Sequence, residues 1–248
     1  RINELKKFVS LESLKKKINQ YKPYLNFKNK IIKNNSNNKT SIIAEIKKAS
    51  PSAGIIIENY NPVEIAQKYY KSNVTCLSVL TEEDFFLGKL DHISDIKKKI
   101  NLPILCKDFF IDTFQVYLAK SYGADAILII LAGLNNDLAN KIYLEASKLN
   151  MSVIVEVHTL EEASRALNFK NALIGINNRN LKTLKTNINT TYDIYEVLKN
   201  HNEPLISESG IQTREEILEI ENKTKIKTFL IGESLLKNLD KNSIFSVL

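Results

Sequence analysis

Eight short apolar runs, each followed by a segment with helix-start signals, predict an α/β chain folded as a (β/α)8 TIM barrel with an extra N-terminal helix. The runs are continuous rather than alternating, the pattern of strands covered on both faces in a parallel sheet. Each also turns polar towards its C-terminal end, where a barrel of this kind gathers its chemistry. A doubly wound open sheet shares the alternation, but a count of eight favours closure.

In chain order the runs are SIIAEIK (41–47), CLSVLTEE (76–83), PILCKDF (103–109), AILIILA (126–132), SVIVEVH (152–158), LIGINNR (173–179), PLISESG (204–210) and TFLIGES (228–234). Between them, Asn61-Pro62 followed by Glu64 supplies a cap, a proline at the first helical position and an acid at the third. Asp112 with Gln115, Thr159 with Glu162 and Thr213 with Glu216 repeat the capping-box spacing. The helix after Asp112 is predicted to stop at Gly123, a left-handed terminator. Upstream, Leu5, Phe8, Leu11, Leu14 and Ile18 fall at helical spacing, and the polar stretch NKIIKNNSNNKT predicts a flexible loop. Residues 1–40 are thus expected as an extension and 41–248 as the barrel, together one domain spanning 1–248.

At 44% hydrophobic and 25% charged residues, the 248-residue chain has the composition of a soluble globular protein. No apolar run reaches the roughly 18 residues of a membrane span, and the N-terminus lacks the apolar core of a signal peptide. Cys76 and Cys106 both sit inside apolar runs, which predicts buried, reduced thiols in a cytoplasmic protein. A chain that begins at Arg1 rather than Met is expected to be a processed or excised piece. The net charge of +7 comes from lysines spread along the sequence among Asn and Ile. Aromatic residues do not interleave with basic clusters, so neither a nucleic-acid nor a membrane partner is expected.

The run PILCKDFFI places Lys107 in an apolar setting, and burying an ammonium group is costly unless it is paired or used. A strand-end reading resolves this. If Leu105 fills the barrel interior, Lys107 and Phe109 point into the mouth and Asp108 points away. Glu45 and Lys47 finish the first strand, Glu156 the fifth, Asn177 and Arg179 the sixth, and Glu208 and Ser209 the seventh. Two lysines close together depress each other's pKa while carboxylates raise it, an arrangement expected to give a general acid able to donate near neutral pH. The seventh strand ends in Ser209-Gly210, and the eighth in Gly232-Glu233-Ser234 running into LLKNLD, a short helix. Glycines and a helix N-terminus after strands 7 and 8 predict a phosphate site, hence a phosphorylated small-molecule substrate. A side chain introduced at Gly232 is then expected to act mainly on KM. No metal site is expected, because Glu156-Val157-His158 lacks a partner at ligand spacing and His92 and His201 fall in surface segments. Nucleotide loops and the elbow of a serine hydrolase are absent from the sequence.

The segments IIAEIKKASPS, SVLTEEDFF, PILCKDFFID, IGINNRNL, ISESGI and FLIGESLL, in that order on successive strands, resemble those of indole-3-glycerol phosphate synthases from about Lys39 onward. The wording is most similar to the synthase half of enzymes fused to phosphoribosylanthranilate isomerase. The resemblance implies a (β/α)8 barrel preceded by a helix, with no cofactor. The implied substrate is 1-(2-carboxyphenylamino)-1-deoxyribulose 5-phosphate, closed to an indole with loss of CO2 and water. The implied form is a monomer, or a synthase with a fused or associated isomerase. By motif, Lys107 is implied as the general acid at the ribulose carbonyl. Lys47 would anchor the substrate carboxylate, with the option of exchanging the acid role, and Glu156 would act in dehydration. Glu45 and Glu208 would stabilise charge on the ring nitrogen, while Asn177 and Ser209 would hold substrate hydroxyls. Ser50, Pro51, Phe86, Phe109, Arg179 and Leu181 would line the substrate pocket, and the backbone around Gly210, Gly232 and Ser234 would hold the phosphate. The sequence departs from the family pattern at Ala53, where many members carry lysine in a loop that closes over the substrate. Phe8 stands nearest to the aromatic residue expected on the N-terminal helix.

Overall fold

The computed structural model describes residues 2–19, 24–239 and 242–248. Eight parallel strands close into a barrel: β1 (Ser41–Ile46), β2 (Cys76–Leu80), β3 (Ile104–Lys107), β4 (Ala126–Ile130), β5 (Ser152–Val157), β6 (Leu173–Asn177), β7 (Leu205–Glu208) and β8 (Thr228–Ile231). Closure is made where β1 pairs with β8, Ser41 opposite Thr228 through Ala44 opposite Ile231. Because the polar strand ends leave the ladder to form the mouth, the strands stop one to three residues short of the apolar runs.

Two apolar layers follow from the two-residue period of a strand. One set, including Ile43, Cys76, Leu105, Leu128, Ile154, Leu173, Ile206 and Leu230, packs inside the barrel. The alternate set, including Ile42, Ala44, Leu77, Cys106, Val155 and Phe229, packs against the surrounding helices. Both cysteines are free and buried, Cys76 inside and Cys106 outside.

The helices are α1 (Ile2–Phe8), α2 (Leu11–Ile18), α3 (Phe27–Ser36), α4 (Pro62–Lys71), α5 (Asp91–Lys97), α6 (Phe114–Ser121), α7 (Asn136–Lys148), α8 (Leu160–Ala166), α9 (Asn189–Leu198), α10 (Arg214–Lys223) and α11 (Glu233–Lys237). Asn61 accepts from the backbones of Val63 and Glu64 to start α4, and Thr213 and Glu216 form a complete capping box on α10. At α6 the expected box is redistributed. Asp112 accepts from Phe114 N, while Gln115 accepts from Ile111 N and Asp112 N and donates to Phe109 O. Gly123 terminates this segment at φ 96°.

The N-terminal extension differs from the expectation of one helix and a loop. Ser10 caps a second helix and so splits the periodic segment into α1 and α2. Most of the stretch expected as a loop is helix α3, capped by Asn26. Asn-rich sequence is a poor helix former in isolation, but here tertiary contacts decide. Phe27 and Ile31 are fully buried and belong to the interior layer, closing the barrel at the end opposite the mouth. The asparagines staple the strand starts, Asn34 donating to Thr40 O and Asn35 to Thr228 Oγ1. No helix among the described residues is long and apolar enough to cross a membrane.

Candidate active site

Interior parity carries Glu45, Lys107, Glu156 and Glu208 upward from Ile43, Leu105, Ile154 and Ile206, so four strands aim charged groups at one point. Lys107 Nζ lies 2.9 Å from Glu208 Oε2, 3.5 Å from Glu156 Oε2 and 3.7 Å from Glu45 Oε2. Lys47 Nζ donates to Glu45 Oε1 at 2.6 Å, and Asn177 Nδ2 to Glu156 Oε1 at 2.9 Å. A cavity of about 920 Å3 opens above this cluster. Its wall includes every residue that the resemblance implies for catalysis, substrate pocket or phosphate except Glu208, which is fully buried against Lys107.

The electrostatics differ from the expectation of mutually depressed lysines. Burial alone would lower the Lys107 pKa, but Glu208, Glu156 and Glu45 outweigh it and hold the ammonium above its ordinary value. The three carboxylates divide unequally. Burial is the largest influence on Glu45, yet Lys47 and Lys107 outweigh it and keep the carboxyl below its usual range. Burial also acts first on Glu156, where Lys107, His158 and Asn177 prevail and bring it to about 2. Glu208 is pushed up to about 7, because burial dominates the attraction of Lys107 and the other two carboxylates oppose its ionisation. The floor therefore holds a charged lysine, two ionised carboxylates and one that titrates near neutrality.

Above the floor one wall is apolar. Phe86 sits on a loop held by Glu82, whose buried carboxylate accepts from the backbones of Asp84, Phe85 and Phe86. Phe109, 48% exposed, and Leu181, 49% exposed, face the cavity from other loops. Asp108, expected to point away, accepts from Thr81 Oγ1 and still borders the cavity. Ser50 Oγ accepts from Ala53 N in the turn that carries Pro51. Arg179 donates to Leu184 O, bracing the loop over β6. On the opposite side, Ser209 (φ 66°) and Gly210 (φ 79°) bend the backbone through left-handed conformations. Ser234 Oγ donates to Ile211 O, which joins the loop after β7 to the start of α11. Gly232 does more than border this side. A Cβ there would stand 2.5 Å from Glu45 Oε1 and 3.1 Å from Lys47 Nζ.

Three residues in this arrangement went unassigned in the sequence. Glu82 lies within the segment SVLTEEDFF with no role implied for it, and Thr186, which contacts the position of a Gly210 side chain, lies in no motif. His158, which finds no metal-ligand spacing in the sequence, lies 3.2 Å from Glu156. Phe8 is 86% exposed and does not line the cavity. Among the described residues no group of His, Cys, Asp and Glu forms a metal cluster.

A charged lysine among carboxylates at the C-terminal mouth of a closed barrel, under an apolar wall, defines a (β/α)8-barrel enzyme of acid–base type. The family model for indole-3-glycerol phosphate synthase matches residues 1–247. The chain belongs to the indole-3-glycerol phosphate synthase family, decarboxylating lyases of tryptophan biosynthesis. It is 45% identical over 254 residues to the synthase of Prochlorococcus marinus MED4, covering all of this chain and 84% of that protein. It is 41% identical over 224 residues to the synthase of Carboxydothermus hydrogenoformans, covering 90% and 84%. Tryptophan biosynthesis protein TrpCF of Buchnera aphidicola from Schizaphis graminum is 42% identical over 229 residues, covering 89% of this chain and 50% of that longer protein. Among solved structures, tryptophan synthase subunit alpha of Legionella pneumophila superposes with a TM-score of 0.62 at 15% identity, over 85% of this chain and 87% of that one. A protein of Aquifex aeolicus VF5 gives 0.63 at 12%, over 90% and 94%. These two likenesses concern the barrel alone.

Proposed function

We propose that the chain converts 1-(2-carboxyphenylamino)-1-deoxyribulose 5-phosphate to indole-3-glycerol phosphate, CO2 and water, with Lys107 as the general acid. The observation that carries this reading is Lys107 Nζ within 3.7 Å of three buried carboxylates at the base of a cavity with an aromatic wall. As the anthranilate ring carbon attacks the ribulose carbonyl, negative charge develops on the carbonyl oxygen. A developing alkoxide is basic enough to take a proton even from an ammonium whose pKa is raised. Loss of CO2 from the attacking carbon restores the aromatic ring, favoured by the apolar wall of Phe86, Phe109, Pro51 and Leu181 once bound substrate covers it.

Dehydration then needs a base and a proton for the departing hydroxyl. Glu156, ionised, takes the base role and removes the ring-carbon proton. Lys47, released from the substrate carboxylate once CO2 has left, gives the departing hydroxyl its proton so that it leaves as water. Glu45 and Glu208 stabilise the positive charge that appears on the ring nitrogen, Lys47 anchors the substrate carboxylate, and Asn177 and Ser209 hold hydroxyls. Arg179 and Ser50 line the path to the site. The phosphate is held by backbone N–H groups near Gly210, Gly232 and Ser234; the Ser234 hydroxyl is already engaged with Ile211 O. The reading needs no cofactor. Its chemical partner is a phosphoribosylanthranilate isomerase that supplies the substrate, fused or separate, and the barrel of 41–248 with its extension is taken as one unit.

Mixing the purified chain with the substrate and following indole fluorescence tests the proposal directly. Product release with turnover is expected, and no product at micromolar enzyme would overturn the reading. Gly232→Ala separates the phosphate site from the acid–base floor. Because its Cβ meets Glu45 and Lys47, kcat is expected to fall about 10-fold or more while KM rises. A raised KM with unchanged kcat would show that the two sites are independent.

A further inference from the structure

His158, just past β5, has a side chain only 8% exposed and stands between two carboxylates. Its Nε2 lies 3.2 Å from Glu156 Oε1, and its Nδ1 lies 3.2 Å from Glu162 Oε2 at the start of α8. The same Glu162 oxygen accepts from His158 N at 2.7 Å. In a capping box Glu162 would reach back to the Thr159 backbone, and here it is given to the histidine instead. Glu156 is consequently asymmetric. Its Oε1 accepts from Asn177 Nδ2 and stands in charge contact with His158 Nε2, which makes no aligned hydrogen bond among the described residues. Its Oε2 is buried, has no hydrogen-bond partner among the described residues, and faces Lys107 Nζ at 3.5 Å.

We propose that His158 is a positioning residue for the reaction, an imidazolium clamp that holds Glu156 by Oε1 and thereby assigns proton transfer to Oε2. The proposal rests on the base role given to Glu156 above. Without the clamp, rotation of the carboxyl group would exchange its oxygens and present Lys107 with either one. The charged groups facing the imidazole are Glu156 from β5 and Glu162 from α8, with Lys107 behind the first and Arg165 behind the second. Burial alone would lower the His158 pKa, but the two carboxylates prevail and push it up to about 9. The clamp therefore stays charged through neutral pH and keeps Glu156 ionised. Glu162 acts from outside the cavity lining, which makes it a remote control on the same clamp.

The three histidines of the intact protein can be followed by NMR titration of their imidazole carbons. One resonance is expected to titrate near 9, to vanish in His158→Gln, and to shift downward by about one pH unit or more in Glu162→Gln. In the synthase assay, wild-type kcat is expected to decline as His158 loses its proton. Glu162→Gln should bring that decline to lower pH, and His158→Gln should lack it, with kcat at neutral pH lowered about 10- to 100-fold. A wild-type histidine set titrating entirely near 6.5 or below would overturn the clamp, as would a kcat profile unchanged in Glu162→Gln. The second variant keeps the test decisive where His158→Gln does not fold. Because the NMR titration needs no substrate, failure of the clamp is distinguishable from failure of the synthase reading.

Discussion

Lys107→Ala is expected to lower kcat by about 10³- to 10⁴-fold, the upper part of the range for loss of a general acid. The variant also has a stability signature. Lys107 is the shared counter-charge of Glu45, Glu156 and Glu208, and removing one partner of a buried charge cluster costs about 3–5 kcal/mol when the remaining charges stay ionised. In the variant these carboxyl groups have folded-state pKa values above those of the unfolded chain. The folded protein then holds protons that the unfolded chain releases. Stability is accordingly retained below the unfolded value of about 4.3 and is lost as pH rises through the folded values. Thermal denaturation should show a larger Tm deficit, relative to wild type, at about pH 8 than at about pH 5. Activity within a few-fold of wild type would remove Lys107 from the acid role. A pH-independent deficit would mean that the carboxylates are not coupled through it.

Gly175→Ala is the second large effect, at a position that offers the site no side chain at all. Gly175 lies inside β6 beside Glu208, where an added Cβ would stand 2.1 Å from Glu208 Oε1 and 3.1 Å from its Cδ. The carboxyl group is fully buried and has to move, taking its 2.9 Å contact with Lys107 out of register. Misplacement of a reacting group by about 1 Å costs on the order of 10²-fold in rate, and overpacking costs about 1–3 kcal/mol in stability. The expected result is a folded protein with kcat down about 10²-fold and KM changed much less. Wild-type kcat in Gly175→Ala would show that the position of Glu208 is immaterial to turnover.

Lys107 and Gly175 mark the limits of sequence reading. Lys107 was legible because strand parity is local: Leu105 inside implies Lys107 in the mouth, and the structure places Leu105 in the interior layer. Glu45 and Glu156 follow by the same step. The conflict between Gly175 and Glu208 depends on the register of two neighbouring strands, which neither strand states alone. The raised Lys107 pKa is hidden for a similar reason, since it needs three carboxylates from three other strands at known distances. Helix α3 is hidden in the sequence because Asn-rich composition favours a loop, while burial of Phe27 and Ile31 outweighs it. For His158 a signal was present. Residues 156 and 158 share a strand face, and Glu162 follows at the capping distance, a spacing that joins the three without any metal.

Helix α3 also changes where the smallest self-sufficient unit of this protein begins. Counting strands and helices, a shortened chain starting at Ser41 still contains all eight repeats. It would nonetheless lack Phe27 and Ile31, which fill the interior from below. Water would then reach a shaft lined by Ile43, Leu105, Ile154 and Ile206, whose upper end supports the charged floor. A self-sufficient unit is accordingly expected to include helix α3 from its cap at Asn26 onward. Any transplant of new loops onto this scaffold has to bring that cork along with the staves.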